Sequence, residues 1–176
     1  PDLHDCRSRR VILVPHCALN QNARSAGAAE RPAAVADLIS YLLDREIGIL
    51  QMPCPELCAF GLNRRNIRIA AELRTPRGKD LTRRLARELV NQINDYMNCG
   101  IHVLGILGKN GSPSCGVEET WGGNGVCAGS GAFIEQLAAE LKSRNISLEL
   151  AGIRDSEPEK AIRTVDRWLS KLNSQR

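Results

Sequence analysis

Val11-Ile12-Leu13-Val14 is apolar at every position and β-branched at three of them. A strand with one face in water alternates apolar and polar side chains. An unbroken apolar run reads instead as a strand covered on both faces, the place of a central strand in a parallel sheet. Pro15 closes this run. Gly48-Ile49-Leu50-Gln51-Met52, closed by Pro53, reads as a second strand. Ile101–Leu107 reads as a third, and Ser147–Ile153 as a weaker fourth.

Between the strands the apolar period changes to that of helices. Val35, Leu38, Ile39, Leu42 and Leu43 form one helical face, and Leu81, Leu85, Leu89 and Ile93 recur at every fourth position. A helix starting near Ser130 carries Phe133, Ile134, Leu137, Ala138 and Leu141. Ser156-Glu157-Pro158-Glu159 fits a capping box, opening a last helix that buries Ile162, Val165, Trp168 and Leu172. The stretch from Leu57 to Arg77 is rich in Arg and Asn and reads as irregular. Strands that alternate with helices imply right-handed crossovers and a parallel sheet. The expected fold is therefore α/β: a single three-layer Rossmann-like or flavodoxin-like domain over residues 1–176 with about four parallel strands. The Gly-rich connection Gly108–Gly131 reads as a loop too long for an idle link, which points to function.

The bulk numbers agree. A chain of 176 residues with 43% apolar and 25% charged residues suits one core, and 3% aromatics leaves that core to Leu, Ile, Val and Ala. No run nears the roughly 20 apolar residues needed to span a bilayer. Pro1–Arg10 is polar and charged, unlike a signal peptide. Seven cysteines, an odd number, without a secretion signal point to reduced thiols and a cytoplasmic setting rather than a disulfide scaffold. The net charge of +4 admits an anionic substrate without indicating one.

In open parallel sheets the site lies beyond the carboxyl ends of the strands. Cys17 follows the first strand in Val14-Pro15-His16-Cys17, and Cys54 follows the second in Met52-Pro53-Cys54-Pro55-Glu56. Cys115 follows the third, in Gly111-Ser112-Pro113-Ser114-Cys115-Gly116. Three buried core thiols are the plain alternative. Three thiolates suit zinc or an iron–sulfur cluster, but the close C-x₂-C pairs of structural zinc are absent. Iron–sulfur clusters ordinarily take four cysteines; with three, one iron stays open, as a Lewis-acid catalyst requires. Cys58 and Cys127 are candidate fourth ligands, and Cys6 and Cys99 read as incidental.

His16-Cys17-Ala18-Leu19-Asn20-Gln21-Asn22, Met52-Pro53-Cys54-Pro55-Glu56, Gly78-Lys79-Asp80-Leu81-Thr82 and Gly111-Ser112-Pro113-Ser114-Cys115-Gly116 occur in that order. Together they resemble the 2-thiouracil desulfidase family, over about residues 10–155. The resemblance implies a [4Fe-4S] cluster on Cys17, Cys54 and Cys115, with one iron not bound by protein. It also implies non-redox removal of sulfur, as sulfide, from thiolated pyrimidines, with Glu56 as acid/base and Ser112 assisting. Many relatives carry a second cysteine and an Arg-Tyr-Asp-Gly run after the first cysteine. Asn20-Gln21-Asn22-Ala23-Arg24-Ser25 stands there instead, which places the chain on a divergent, desulfidase-related branch.

The implied partner is a small thiolated base or nucleotide: 2-thiouracil, 4-thiouridine or its nucleotide. Nucleic acid is the less favoured partner, and no membrane partner is expected. A sulfur transferase and a non-catalytic iron–sulfur carrier or sensor are the alternatives; a carrier needs no carboxylate beside the cluster. His16, Asn20 and Asn22 are possible donors around the ligands. Arg64, Arg65 and Lys109 read as a solvated face, with a nucleotide phosphate as the functional alternative. Gly122-Gly123-Asn124-Gly125 reads as a phosphate cradle or a lid.

Overall fold

A computed structural model describes residues 5–64 and 68–174. Its main sheet has four strands: β1 (Arg10–Pro15), β2 (Gly48–Met52), β3 (His102–Lys109) and β6 (Leu150–Ile153). They lie in the order β2-β1-β3-β6, and every neighbouring pair is parallel. The α/β reading and the four-stranded parallel sheet therefore hold. β1 is central and buried from Val11 to Pro15, as its unbroken apolar run requires.

The two faces of β1 feed two cores. Ile12 and Val14 pack with Leu38 and Leu42 of α2 (Ala36–Asp44) and with Val165 and Trp168 of α7 (Pro158–Asn173). Leu13 packs with Leu85, Leu89 and Ile93 of α5 (Pro76–Asn98) and with Phe133 and Leu137 of α6 (Ala132–Ser143). The result is three layers, helices on both sides of the sheet. Gly105 of β3 makes one of these contacts possible: a Cβ there would stand 2.6 Å from the Trp168 ring. The first crossover leaves β1 on one side and the second returns past it, so the strand order reverses between β1 and β3. That reversal opens the crevice where such sheets bind ligands.

Several local expectations are corrected. Leu57–Arg77 is not irregular: it holds α3 (Pro55–Phe60) and α4 (Ile69–Leu73), with residues 65–67, including Arg65, outside the described residues. Helices this short show less than two turns of apolar period, so the pattern had nothing to repeat. The Gly108–Gly131 loop contains an antiparallel hairpin, β4 (Glu119–Trp121) and β5 (Val126–Ala128). The capping box at Ser156 does not form: α7 begins after Glu157 with Pro158 in its first turn and no side-chain cap. Leu43, assigned to the buried face of α2, is 62% exposed, and Ala138 of α6 is also exposed.

Candidate active site

The sheet register brings two of the strand-end cysteines level. Pro15 and Met52 are partners across β1 and β2, and each is followed two residues later by a cysteine, Cys17 or Cys54. Cys17 lies in α1 (His16–Leu19), a single turn directly after β1. Cys54 caps α3, its Sγ accepting the Leu57 N–H at 3.4 Å, with Pro55 in the first turn. Cys115 sits in a turn that folds back on β3, where the Lys109 N–H donates to the Cys115 carbonyl at 2.7 Å. Gly131 permits that fold-back, since a Cβ there would lie 2.5 Å from the Ser114 carbonyl.

All three cysteines line one cavity of about 300 Å³. Burial raises their thiol pKa values. Cys17 is pushed up to about 11, chiefly by burial and further by Asp155 and Cys54, against the pull of Arg24 and Lys109. Cys54 is also raised by burial. Cys115 is raised well above 9.0 by burial, then by the charges of Cys54 and Cys17. Cys17 and Cys115 thus both feel Cys54 as a like charge, and as free groups the three hold their protons at neutral pH. Among the described residues no three His, Cys, Asp or Glu side chains are arranged to hold a single metal ion. Cys58 lies in a separate groove with Phe60 and Arg77. Cys6, Cys58 and Cys127 are exposed.

Glu56 and Ser112 meet in the same cavity. The Ser112 hydroxyl donates to Glu56 Oε1 at 3.1 Å. Ser114, which sequence reasoning passed over, donates to the same oxygen at 2.7 Å and also lies 3.4 Å from Cys115 Sγ. Ser112 also braces its own turn, because its Oγ accepts the N–H groups of Ser114 and Cys115 at 3.2 and 3.0 Å. On the other carboxylate oxygen, Arg64 Nε faces Glu56 Oε2 at 3.6 Å. The Arg64 guanidinium is fixed by the carbonyls of Gly61 and Ala23 at 2.8 and 2.6 Å. Glu56 is therefore neither a surface carboxylate nor a plain cap; it is 9% exposed and held from both sides.

A family model for 2-thiouracil desulfurase matches residues 12–148, a span that includes all three cysteines, Glu56 and both serines. The chain belongs to the 2-thiouracil desulfurase family. An uncharacterized protein of Methanocaldococcus jannaschii, MJ0003, is 22% identical over 165 residues, covering 93% of this chain and 99% of its own. No solved structure matches. In this desulfurase-family chain no helix of the described residues is long and apolar enough to cross a membrane.

One wall of the desulfurase-family cavity was misread from sequence. Lys109 and Arg64 do not belong to a solvated face; they are 5% and 8% exposed. Lys109 Nζ pairs with Asp155 Oδ2 at 3.0 Å and Glu30 Oε1 at 3.1 Å. The same Asp155 oxygen accepts from Arg24 Nη1 and Gln21 Nε2, both at 2.9 Å. Gln21 also donates to the Cys17 carbonyl at 2.8 Å. Asp155 thereby ties two cations to the backbone of Cys17, a role that a lone Asp after a weak strand gives no way to foresee. Of the other expected donors, His16 lines the cavity, while Asn20 caps its own turn by accepting the Asn22 N–H at 3.1 Å. The Gly122–Gly125 segment is the turn of the β4–β5 hairpin, closed by Gly122 N–H to the Gly125 carbonyl at 2.9 Å.

Proposed function

We propose that this protein is a [4Fe-4S]-dependent desulfurase that removes sulfur as sulfide from thiolated pyrimidines such as 2-thiouracil or 4-thiouridine and its nucleotide. One observation carries the reading: three strand-end thiols and the Glu56–Ser112–Ser114 hydrogen-bonded set share a single cavity in a chain of this family. The donor set fits such a group. Three thiols lining one cavity are soft donors of the kind iron–sulfur clusters take, one thiolate to each iron. A single zinc draws all its sulfurs to ~2.3 Å.

When bound, the cluster would supply a soft Lewis-acid position for the thiocarbonyl sulfur. The protein groups do the rest. Glu56 takes a proton from water as the water oxygen adds to the thiocarbonyl carbon. A C–O bond forms and the C–S bond breaks; the proton held by Glu56 goes to the departing sulfur, and the second water proton leaves the new carbonyl oxygen by the same carboxylate to complete hydrogen sulfide. Thiocarbonyl plus water gives carbonyl plus hydrogen sulfide, with no electrons gained or lost. Ser112 and Ser114 fix Oε1 of the carboxylate, and Arg64 balances its charge. A cluster carrier has no use for a buried carboxylate bonded in this way, so the enzyme reading is preferred.

The test is anaerobic reconstitution with iron and sulfide. Incubation with 2-thiouracil, 4-thiouridine and 4-thiouridine monophosphate follows, with free sulfide and desulfurated product both quantified. Equimolar sulfide and product from one of them is expected. Cluster-loaded protein that desulfurates none would refute the proposal.

A further inference from the structure

The cavity has one wall that the desulfurase chemistry does not use. Cross-strand partners Trp121 and Val126 of the β4–β5 hairpin both line it. Directly opposite residues of an antiparallel pair share a face, so the two side chains form one apolar panel. Every other described lining side chain near the thiols is polar, charged or small. Val126 is 49% exposed, although its side chain is wholly apolar. In a chain with 3% aromatics and two tryptophans, an indole at the cavity is not routine filler.

The other tryptophan gives the contrast. Trp168 lies in the core, 3% exposed, and its indole N–H donates to Glu149 at 2.9 Å. Trp121 Nε1 is buried and has no hydrogen-bond partner among the described residues. A buried indole N–H ordinarily finds one. Trp121 thus contributes a large, rigid apolar side chain to the lining of the cavity, with its N–H buried and unbonded among the described residues.

The hairpin is also tied to the reacting side. Thr120, next to Trp121, donates its hydroxyl to the Ser112 carbonyl at 3.1 Å. The Gly111 N–H donates to the Glu119 carbonyl at 3.0 Å. Val126 Cγ2 lies beside Gly111, 3.7 Å from the position a Cβ would take there, an ordinary van der Waals contact. The panel thus keeps a fixed place relative to Ser112 and, through it, to Glu56.

We propose that Trp121, backed by Val126, is the stacking platform that selects a planar heteroaromatic substrate. This rests on the desulfurase reading for the identity of the base, but not for the stacking itself. Trp121 is a specificity and positioning residue here, outside the proton-transfer chemistry.

The test uses the anaerobically reconstituted protein and uracil as the binding probe, followed by tryptophan emission, together with steady-state sulfide release from 2-thiouracil. Uracil is expected to quench the wild-type emission. Trp121→Ala should abolish the quench and raise KM by about 5- to 150-fold, the span of single base–aromatic stacks, with kcat altered far less. Trp121→Phe keeps a ring and should show a KM between those of wild type and Trp121→Ala, which guards against a merely misfolded alanine variant. Two outcomes overturn the platform: unchanged KM in both variants with sulfide still released, or a wild-type emission indifferent to saturating uracil. Quenching by uracil with no sulfide from any thiopyrimidine would keep the platform and remove the desulfurase reading.

Discussion

The Ser114 hydroxyl donates to Glu56 Oε1 at 2.7 Å while standing 3.4 Å from Cys115 Sγ. A hydroxyl has one proton, so it serves the carboxylate or the sulfur, not both, and the shorter contact shows which partner holds it. Ser112 differs, because its Oγ also accepts the backbone N–H groups of Ser114 and Cys115. Ser114→Ala should keep the iron and slow turnover roughly 10- to 100-fold, the worth of one hydrogen bond to a charged group. Ser112→Ala should also loosen the Cys115 turn and lower the iron retained. Iron content and single-turnover sulfide release, measured on both variants, separate the two roles. Equal iron loss in both would contradict them.

Glu56→Gln should leave iron content unchanged and reduce single-turnover sulfide release by ~100-fold or more, the usual scale of general acid–base catalysis. Glutamine is the informative replacement. Alanine would leave Arg64, with a side chain 4% exposed, opposite an empty space, and stranding one partner of a buried pair costs roughly 3–5 kcal/mol. A Glu56→Gln protein with wild-type turnover per iron removes Glu56 from the mechanism.

Alanine at Cys17, Cys54 or Cys115 should each abolish stable iron binding after anaerobic reconstitution. Alanine at Cys6, Cys58, Cys99 or Cys127 should not, because none of these four lines the cavity. The readout is iron per chain. An empty site in Cys58→Ala or Cys127→Ala would mean a fourth protein ligand and no open iron.

The thiol shifts set a pH dependence for metal-free protein. Cys17 is raised from an ordinary 9.0 to about 11, and burial raises Cys54 and Cys115 as well. Below 9.0 these thiols are protonated whether the chain is folded or unfolded. Between there and the folded values only the folded chain keeps the protons, so stability falls as pH rises. Urea midpoints of metal-free protein should decline through this alkaline window, and Cys17→Ala should decline less steeply. Parallel slopes for the two proteins would contradict the burial of Cys17 as its cause.

The layered fold was legible because it rests on patterns that burial imposes directly. The unbroken run at Val11–Val14 and the four-residue spacing from Leu81 to Ile93 both face packed neighbours. The cysteine trio was legible for a related reason. Strand ends can be located from sequence, and the Pro15–Met52 register then sets Cys17 beside Cys54 without further assumptions. What escaped depends on contacts between distant segments. Lys109 looks like any loop lysine until Asp155, on another strand's end, reaches it at 3.0 Å. Ser114 looks like a turn residue until Glu56, from a different crossover, closes on it. The hairpin of β4 and β5 has three residues per strand, too few to show alternation. The roles assigned to Cys17, Cys54, Cys115, Glu56 and Ser112 rest on the iron and sulfide measurements proposed for them.

The central position of β1, between β2 and β3, has a consequence for biosynthesis. The cavity wall is assembled from both sides of one strand, so it does not exist while the chain emerges in order. Cys17 and Cys54 can meet early, once a single crossover is laid. The third thiol arrives only after α5 has carried the chain across the opposite face, and its turn settles only when Gly131 packs beneath it. Under the cluster proposal, iron must therefore be delivered late in synthesis or after it. A nascent chain ending before that glycine already carries Cys17, Cys54 and Cys115, but the turn that seats the third thiol is unfinished.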